Sequence, residues 1–179
     1  MLLSFENEVH DTQLSTLTGL LEYIDSELLK IEVAIDAGYD VDSMGVLDTG
    51  EYLIGVGFVA VQQHLNESLI TKYLKKNDAF SLGPMHSTNA SSISIINAAA
   101  NWWKHESEWH RLGEVPRSGE RTYNTIMDIS NQHEYALSNV LASFSESKKM
   151  SFSESIIPCI EEWSKAIMED YRSKRIGTE

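Results

Sequence analysis

The sequence predicts an all-α protein, a helical bundle of about five to six helices, two of them long, in one domain over residues 1–179. Three observations predict it. Apolar residues recur at spacings of three and four along most of the chain. The turn-forming clusters between those stretches are short and well separated. No repeat of solenoid period and no linker-like stretch divides the chain.

The first helix is expected from about Ser4 to Ala37. Leu14, Leu17, Leu20, Leu21, Ile24, Leu28, Leu29, Ile31 and Ile35 form one apolar stripe, Glu22, Asp25, Glu27, Lys30 and Glu32 fill the other face, and Gly38 ends it. Residues 38–50 read as a loop. Its aspartates do not make a calcium loop, because Met44 falls at the fifth position counted from Asp40, where an oxygen ligand belongs. Asp48 or Thr49 is expected to cap a second helix from Gly50 to Lys76. Its start, Tyr52 to Val61, mixes β-branched residues with glycine, but Ile54, Phe58, Val61, Leu65, Leu69 and Tyr73 keep a helical period for about five turns, too long for a strand. Gly55 and Gly57 weaken a helix, so they are expected to serve close packing. A Gly-x-Gly without phosphate-loop neighbours is no nucleotide site.

Asn77 to Asn89 reads as a loop, and Ser87, Thr88 or Asn89 as the cap of a third helix, Ala90 to His110. Gly113, Pro116 and Gly119 break it. Further helices are expected over Glu120–Ser130 and Glu134–Phe144, and a last one from Ser151 or Ser153 to about Lys174, with Ile157, Ile160, Trp163, Ile167 and Tyr171 on one face. Pro158 falls near its first turn, and residues 172–179 are expected to fray.

Charge and composition narrow the function. Lys and Arg number 14 against 27 Asp and Glu, a net charge of −13. Such a field repels phosphate backbones, so duplex DNA is not an expected ligand and a basic partner protein is. The single cysteine, Cys159, excludes an internal disulfide and any zinc site built on two thiolates, and fits a reducing compartment. It reads as a small buried hydrophobe. The most apolar run, Tyr52 to Val61, is too short to cross a bilayer, and the N-terminus turns acidic at once, so no membrane contact and a cytoplasmic location are expected. Long helices with surplus apolar faces point to a homodimer or a protein partner.

The chemistry concentrates in residues 97–110. On a helix Asn97, Asn101, His105 and Glu108 or Trp109 share one face, and Lys104 pairs with Glu108 on a neighbouring stripe. Trp102, Trp103 and Trp109 lie among them and read as core or helix-interface residues. An imidazole moves protons near neutral pH, an amide one turn away can fix its tautomer or bind a phosphate or ribose oxygen, and an ammonium offsets negative charge. That equipment suits metal-free RNA cleavage, in which the 2′-hydroxyl is the nucleophile. Buried amides need partners, so this polar face either packs on another polar group or lines a cleft. The six histidines form no His-x-x-x-His and no His-Glu-x-x-His, so no metal and no cofactor is expected. His64, in the polar patch of Gln62, Gln63 and Asn66, is a candidate to complete a cleft with His105. Arg111, Arg117 and Arg121 flank the break after the third helix and are the best local source of charge for a phosphate.

Asn101-Trp102-Trp103-Lys104-His105 resembles the Asn-x-x-x-His core of HEPN-type helical domains. The resemblance covers about ten residues. It implies a helical bundle, often dimeric, and an affiliation with bacterial defence or toxin–antitoxin systems, in which many members are metal-independent ribonucleases. The polar residue and the histidine of the family's motif fall on Asn101 and His105, but its arginine falls on Ala100, which removes the cation that would orient a phosphate. Three readings follow. The first is a non-enzymatic interaction protein that binds a protein partner. The second is a divergent HEPN-like ribonuclease with Asn101, Lys104 and His105 as catalytic residues. The third is a bundle that binds a small ligand in an aromatic pocket under Trp102 and Trp109. The candidate binding residues are Asn97, Trp102, Glu108, Trp109 and His64.

Overall fold

The apolar stripes of three long helices and the inner face of a fourth converge on a single buried core. The computed structural model describes residues 2–5, 8–40, 45–69, 74–86 and 90–176, with backbone alone for 2–10, 175 and 176. Strands β1 (Leu2–Phe5) and β2 (Glu8–Asp11) pair antiparallel, Leu2 opposite Asp11 and Phe5 opposite Glu8. Helices α1 (Leu14–Asp36), α2 (Val46–Ser68), α3 (Lys76–Phe80), α4 (Ser92–Leu112), α5 (Glu120–Ser130), α6 (Ala136–Ala142) and α7 (Phe152–Ile176) follow. The helical class therefore holds, with seven helices among the described residues rather than five or six, and with four long ones of 21 to 25 residues rather than two.

The hairpin replaces the start of the expected first helix. The 3.6-residue stripe begins only at Leu14, and Asp11 closes a local turn by accepting the Gln13 N–H at 3.1 Å, which competes with helix before that point. The extra helix, α3, lies where a loop was expected. Five residues do not hold a helix in water. Here the fully buried Trp163 of α7 donates its indole N–H to the Ala79 carbonyl at 2.8 Å, and Phe80 packs edge-on against the same ring. α2 starts earlier than expected, at Gly45 in the left-handed region (φ 65°), so Asp48 and Thr49 lie inside its first turn and do not cap it. It ends at Ser68, where Leu69 turns extended; Tyr73 lies outside the described residues. The cap of α4 is Ser91, whose Oγ accepts the Ser94 N–H at 3.1 Å; Ser87, Thr88 and Asn89 lie outside the described residues. α5 has the expected bounds. Pro158 stands in the second turn of α7 on its exposed side, where its missing N–H removes one hydrogen bond of the helix.

α2 is the central element and packs against α1, α4 and α6, while α7 closes the other side of α1. Leu21, Ile24 and Leu28 of α1 meet Ile54, Phe58, Val61 and Leu65 of α2, and Ile156, Ile160 and Trp163 of α7 complete the core. Gly55 and Gly57 have the packing role their positions suggest. A Cβ at Gly55 would stand 2.1 Å from the Trp103 ring, and one at Gly57 would stand 2.5 Å from Phe152.

Two acidic residues tie the helices together. Asp25 of α1 accepts the Phe152 and Ser153 N–H groups at 2.8 and 2.9 Å and the Ser151 and Ser153 hydroxyls, so it caps α7 from across the bundle. Glu51 of α2 does the same for α6 through Leu137 and Ser138. Both place a carboxylate on the donor end of a helix. The outer flank of α1 leaves Leu20, Tyr23, Leu29 and Val33 exposed. Among the described residues no helix is long and apolar enough to cross a membrane.

Candidate functional site

The functional candidates sit on α4, which serves three surroundings at once. One face packs on α2, one lies against α5, and the loop at 113–119 folds back over its end. That return is possible because Gly113 takes the left-handed conformation (φ 74°) and because Gly119 lies flat against Trp109, where a Cβ would approach the ring to 2.7 Å.

On the α2 side the polar face is paired. Lys104 Nζ donates to Gln62 Oε1 at 2.7 Å. Gln62 Nε2 donates to the side-chain oxygens of Asn97 and Asn101, both at 2.9 Å. Gln62 is buried, at 5% exposure, and this network is what makes its burial tolerable. Burial holds the Lys104 ammonium below the usual lysine range.

His105 faces the other way. Its side chain is half exposed, its Nδ1 lies 3.5 Å from Glu108, and its ring stacks on Trp109 with centroids 6.1 Å apart. Asn101 and His105 line the same recess of about 350 Å³, together with Glu108, Pro116, Ser118 and Thr122. Asn101 gives its oxygen to Gln62, not to His105, and so does not set the imidazole tautomer. Lys104 points to α2 and does not line that recess.

The third surrounding is aromatic. Trp102 is edge-on to Trp109 at 6.0 Å and lies 5.8 Å from the rings of both Tyr123 and His133, while the Tyr123 hydroxyl hydrogen-bonds to His133 Nε2 at 2.8 Å. These four rings line a recess of about 360 Å³, with Glu106 and Glu114 on its wall. Across Trp102 and Glu106 it adjoins a second recess of about 220 Å³ that adds Asp48, Glu51, Trp103 and Glu134.

No family model, no curated protein and no solved structure matches this chain.

The α4 residues singled out in the sequence thus divide among neighbouring surfaces. Trp102 and Trp109 reach the aromatic recess, Asn101, His105 and Glu108 the adjacent one, and Asn97 and Lys104 join the α2 network. His64 does not join His105. It is buried beside Asp11, with Nε2 2.9 Å from Oδ2. Burial holds its pKa below 6.5, against the pull of Asp11. Arg121 lines a cavity with Asn97 and Asn101 and not the recess of His105. Cys159 is half-buried, its thiol pKa pushed up by burial. Among the described residues no group of three His, Cys, Asp or Glu side chains is placed to hold a metal ion. Sequence reasoning missed Tyr123 and His133. Neither belongs to a motif, and only the left-handed Asn131 that ends α5 brings His133 back over Tyr123.

Proposed function

We propose that the chain is a non-catalytic interaction protein that grips a basic segment of a partner protein in the aromatic recess of α4. The observation that carries this reading is the box of Trp102, Trp109, Tyr123 and His133 with Glu106 and Glu114 on its wall. Trp102 and Trp109 are buried in the wall, as core residues, so a guanidinium or ammonium group meets Tyr123 and His133 first; an aromatic face attracts it by about 0.5–2 kcal/mol depending on desolvation, and the carboxylates add charge complementarity. The adjoining recess extends the same chemistry with Asp48 and Glu134. A chain of net charge −13 steers basic segments toward itself and repels acidic ones.

Calorimetric titration with an arginine- and lysine-rich peptide tests this, with a glutamate-rich peptide as control. The expected result is saturable binding of the basic peptide alone, accompanied by a change in tryptophan fluorescence. The double variant Glu106→Lys, Glu114→Lys should weaken it at least about tenfold. Equal binding by wild type and variant would overturn the reading.

A second reading, a metal-independent ribonuclease, draws support from the recess that Asn101 and His105 share. The commitment of Asn101 and Lys104 to Gln62 favours the first. RNA cleavage lost in His105→Ala and kept in His64→Ala would reverse that order.

A further inference from the structure

A cavity of about 240 Å³ lies where α3, α4 and α5 meet, distinct from the aromatic recess. Asn77, Asn97, Asn101, Ser118, Arg121 and Thr122 contribute to its wall, and no carboxylate does among the described residues. The orientation of its amides follows from one rule of donor chemistry. A lysine ammonium only donates. Lys104 therefore requires the oxygen of Gln62, and Gln62 must turn its nitrogen to Asn97 and Asn101. Both asparagines must then present oxygen to Gln62. Their amide N–H groups are left without a hydrogen-bond partner among the described residues, on side chains that line the cavity.

Charge agrees with that polarity. Arg121 makes no ion pair among the described residues. Lys76 stands 5.0 Å over the ring of Phe80, which forms part of the cavity wall. Burial first, and then the charge of Lys104, holds the Lys76 ammonium below the usual lysine range. Of these cations only Arg121 is a wall residue, and a lysine over the Phe80 ring of the same wall adds to the field that favours an anion there.

We propose that this cavity binds the phosphate group of a small phosphomonoester, with the amide N–H groups of Asn97 and Asn101 and the guanidinium of Arg121 as its donors. A phosphate oxyanion offers acceptors, which the amide N–H groups and the guanidinium on this wall need, and the wall hydroxyls can donate to it as well. The long-range field of the chain disfavours a polyanion, so the ligand is small and its charge is met locally.

Calorimetry with inorganic phosphate and with O-phosphoserine tests the proposal. Saturable one-site binding of phosphoserine is expected, weakened at least about tenfold in Arg121→Gln and in Asn101→Asp. Arg121 is exposed, so its variant keeps the fold; Asn101→Asp is checked by its melting curve. Binding of inorganic phosphate as well identifies the bare ion as sufficient, and binding of phosphoserine alone shows that the ester group is read too. The Glu106→Lys, Glu114→Lys variant should bind phosphoserine no less tightly than wild type, which separates this site from the aromatic recess. Absence of saturation up to ~10 mM, or unchanged affinity in Arg121→Gln, would overturn the proposal. So would binding of a single-stranded RNA by a protein that ignores phosphoserine.

Discussion

The replacement of Gly57 by alanine isolates what close packing of α2 contributes. In an isolated helix the change is favourable by about 1 kcal/mol, because alanine loses less backbone entropy. In this fold the added Cβ would stand 2.5, 2.7 and 3.0 Å from Cζ, Cε2 and Cε1 of Phe152. Carbon atoms prefer separations of about 3.5–4.0 Å, so the ring must retreat by about 1 Å. Phe152 has nowhere to go. It is fully buried, it meets Phe58 edge-on at 5.1 Å, and its N–H is fixed by Asp25 at 2.8 Å. Overpacking of this kind costs about 1–3 kcal/mol, and more where the neighbour is held at both ends. Taking the strain at about 3 kcal/mol and subtracting the propensity gain leaves a loss of about 2 kcal/mol, or a fall in melting temperature of about 4–8 °C for a chain of this size. Gly19 of α1 is the matched control, since a Cβ there meets nothing within 4 Å. Gly19→Ala should stabilise by about 0.5–1 kcal/mol. Both variants are read by thermal melting and urea titration. A Gly57→Ala protein that melts at or above wild type would refute the packing argument, because the sign would then follow helix propensity alone.

Asp25→Asn should cost about 2–3 kcal/mol in urea unfolding, since an amide cannot accept from all four donors that the carboxylate holds at the start of α7; the exposed Glu22→Gln should stay within about 0.5 kcal/mol. Stability should fall on acidification through His64 and His86. Burial lowers both pKa values from 6.5, so their neutral forms favour the folded state at higher pH. That contribution is complete above 6.5 and is lost as pH falls through the folded values; urea midpoints measured from about pH 7.5 to about pH 5.5 should drop, less steeply in His64→Gln. His105→Ala should leave the melting temperature within about 1–2 °C of wild type, because the side chain is half exposed and its contact with Glu108 at 3.5 Å is a surface pair. A larger drop would show that the stack on Trp109 is a structural joint.

Much of the bundle is legible in the residues alone. The stripes from Leu14 to Ile35 and from Ile54 to Leu65 name two helices and their buried faces, because a 3.6-residue period is a property of neighbouring residues. The bounds of α5 and the packing role of Gly55 and Gly57 are equally local signals. The polarity of α4 is visible too, and it marks the helix on which all the candidate surfaces meet. What the stripes leave open is which face meets which. The short α3 forms because Trp163, on α7, bonds to it, and β1–β2 occupies a segment whose helical period had not yet begun. Asn97, Asn101 and Lys104 acquire one orientation only because Gln62 arrives from α2 with a single oxygen to give. The aromatic recess exists only because the first turn of α5 and the segment after its end bring Tyr123 and His133 to Trp102. Periodicity is written between residues a few positions apart, whereas donor direction and the walls of a cavity are settled between side chains distant in the chain. The sequence by itself therefore determined the helical class and the buried stripes of the long helices, and the tertiary structure alone decided where the short elements form and which groups the faces of α4 present.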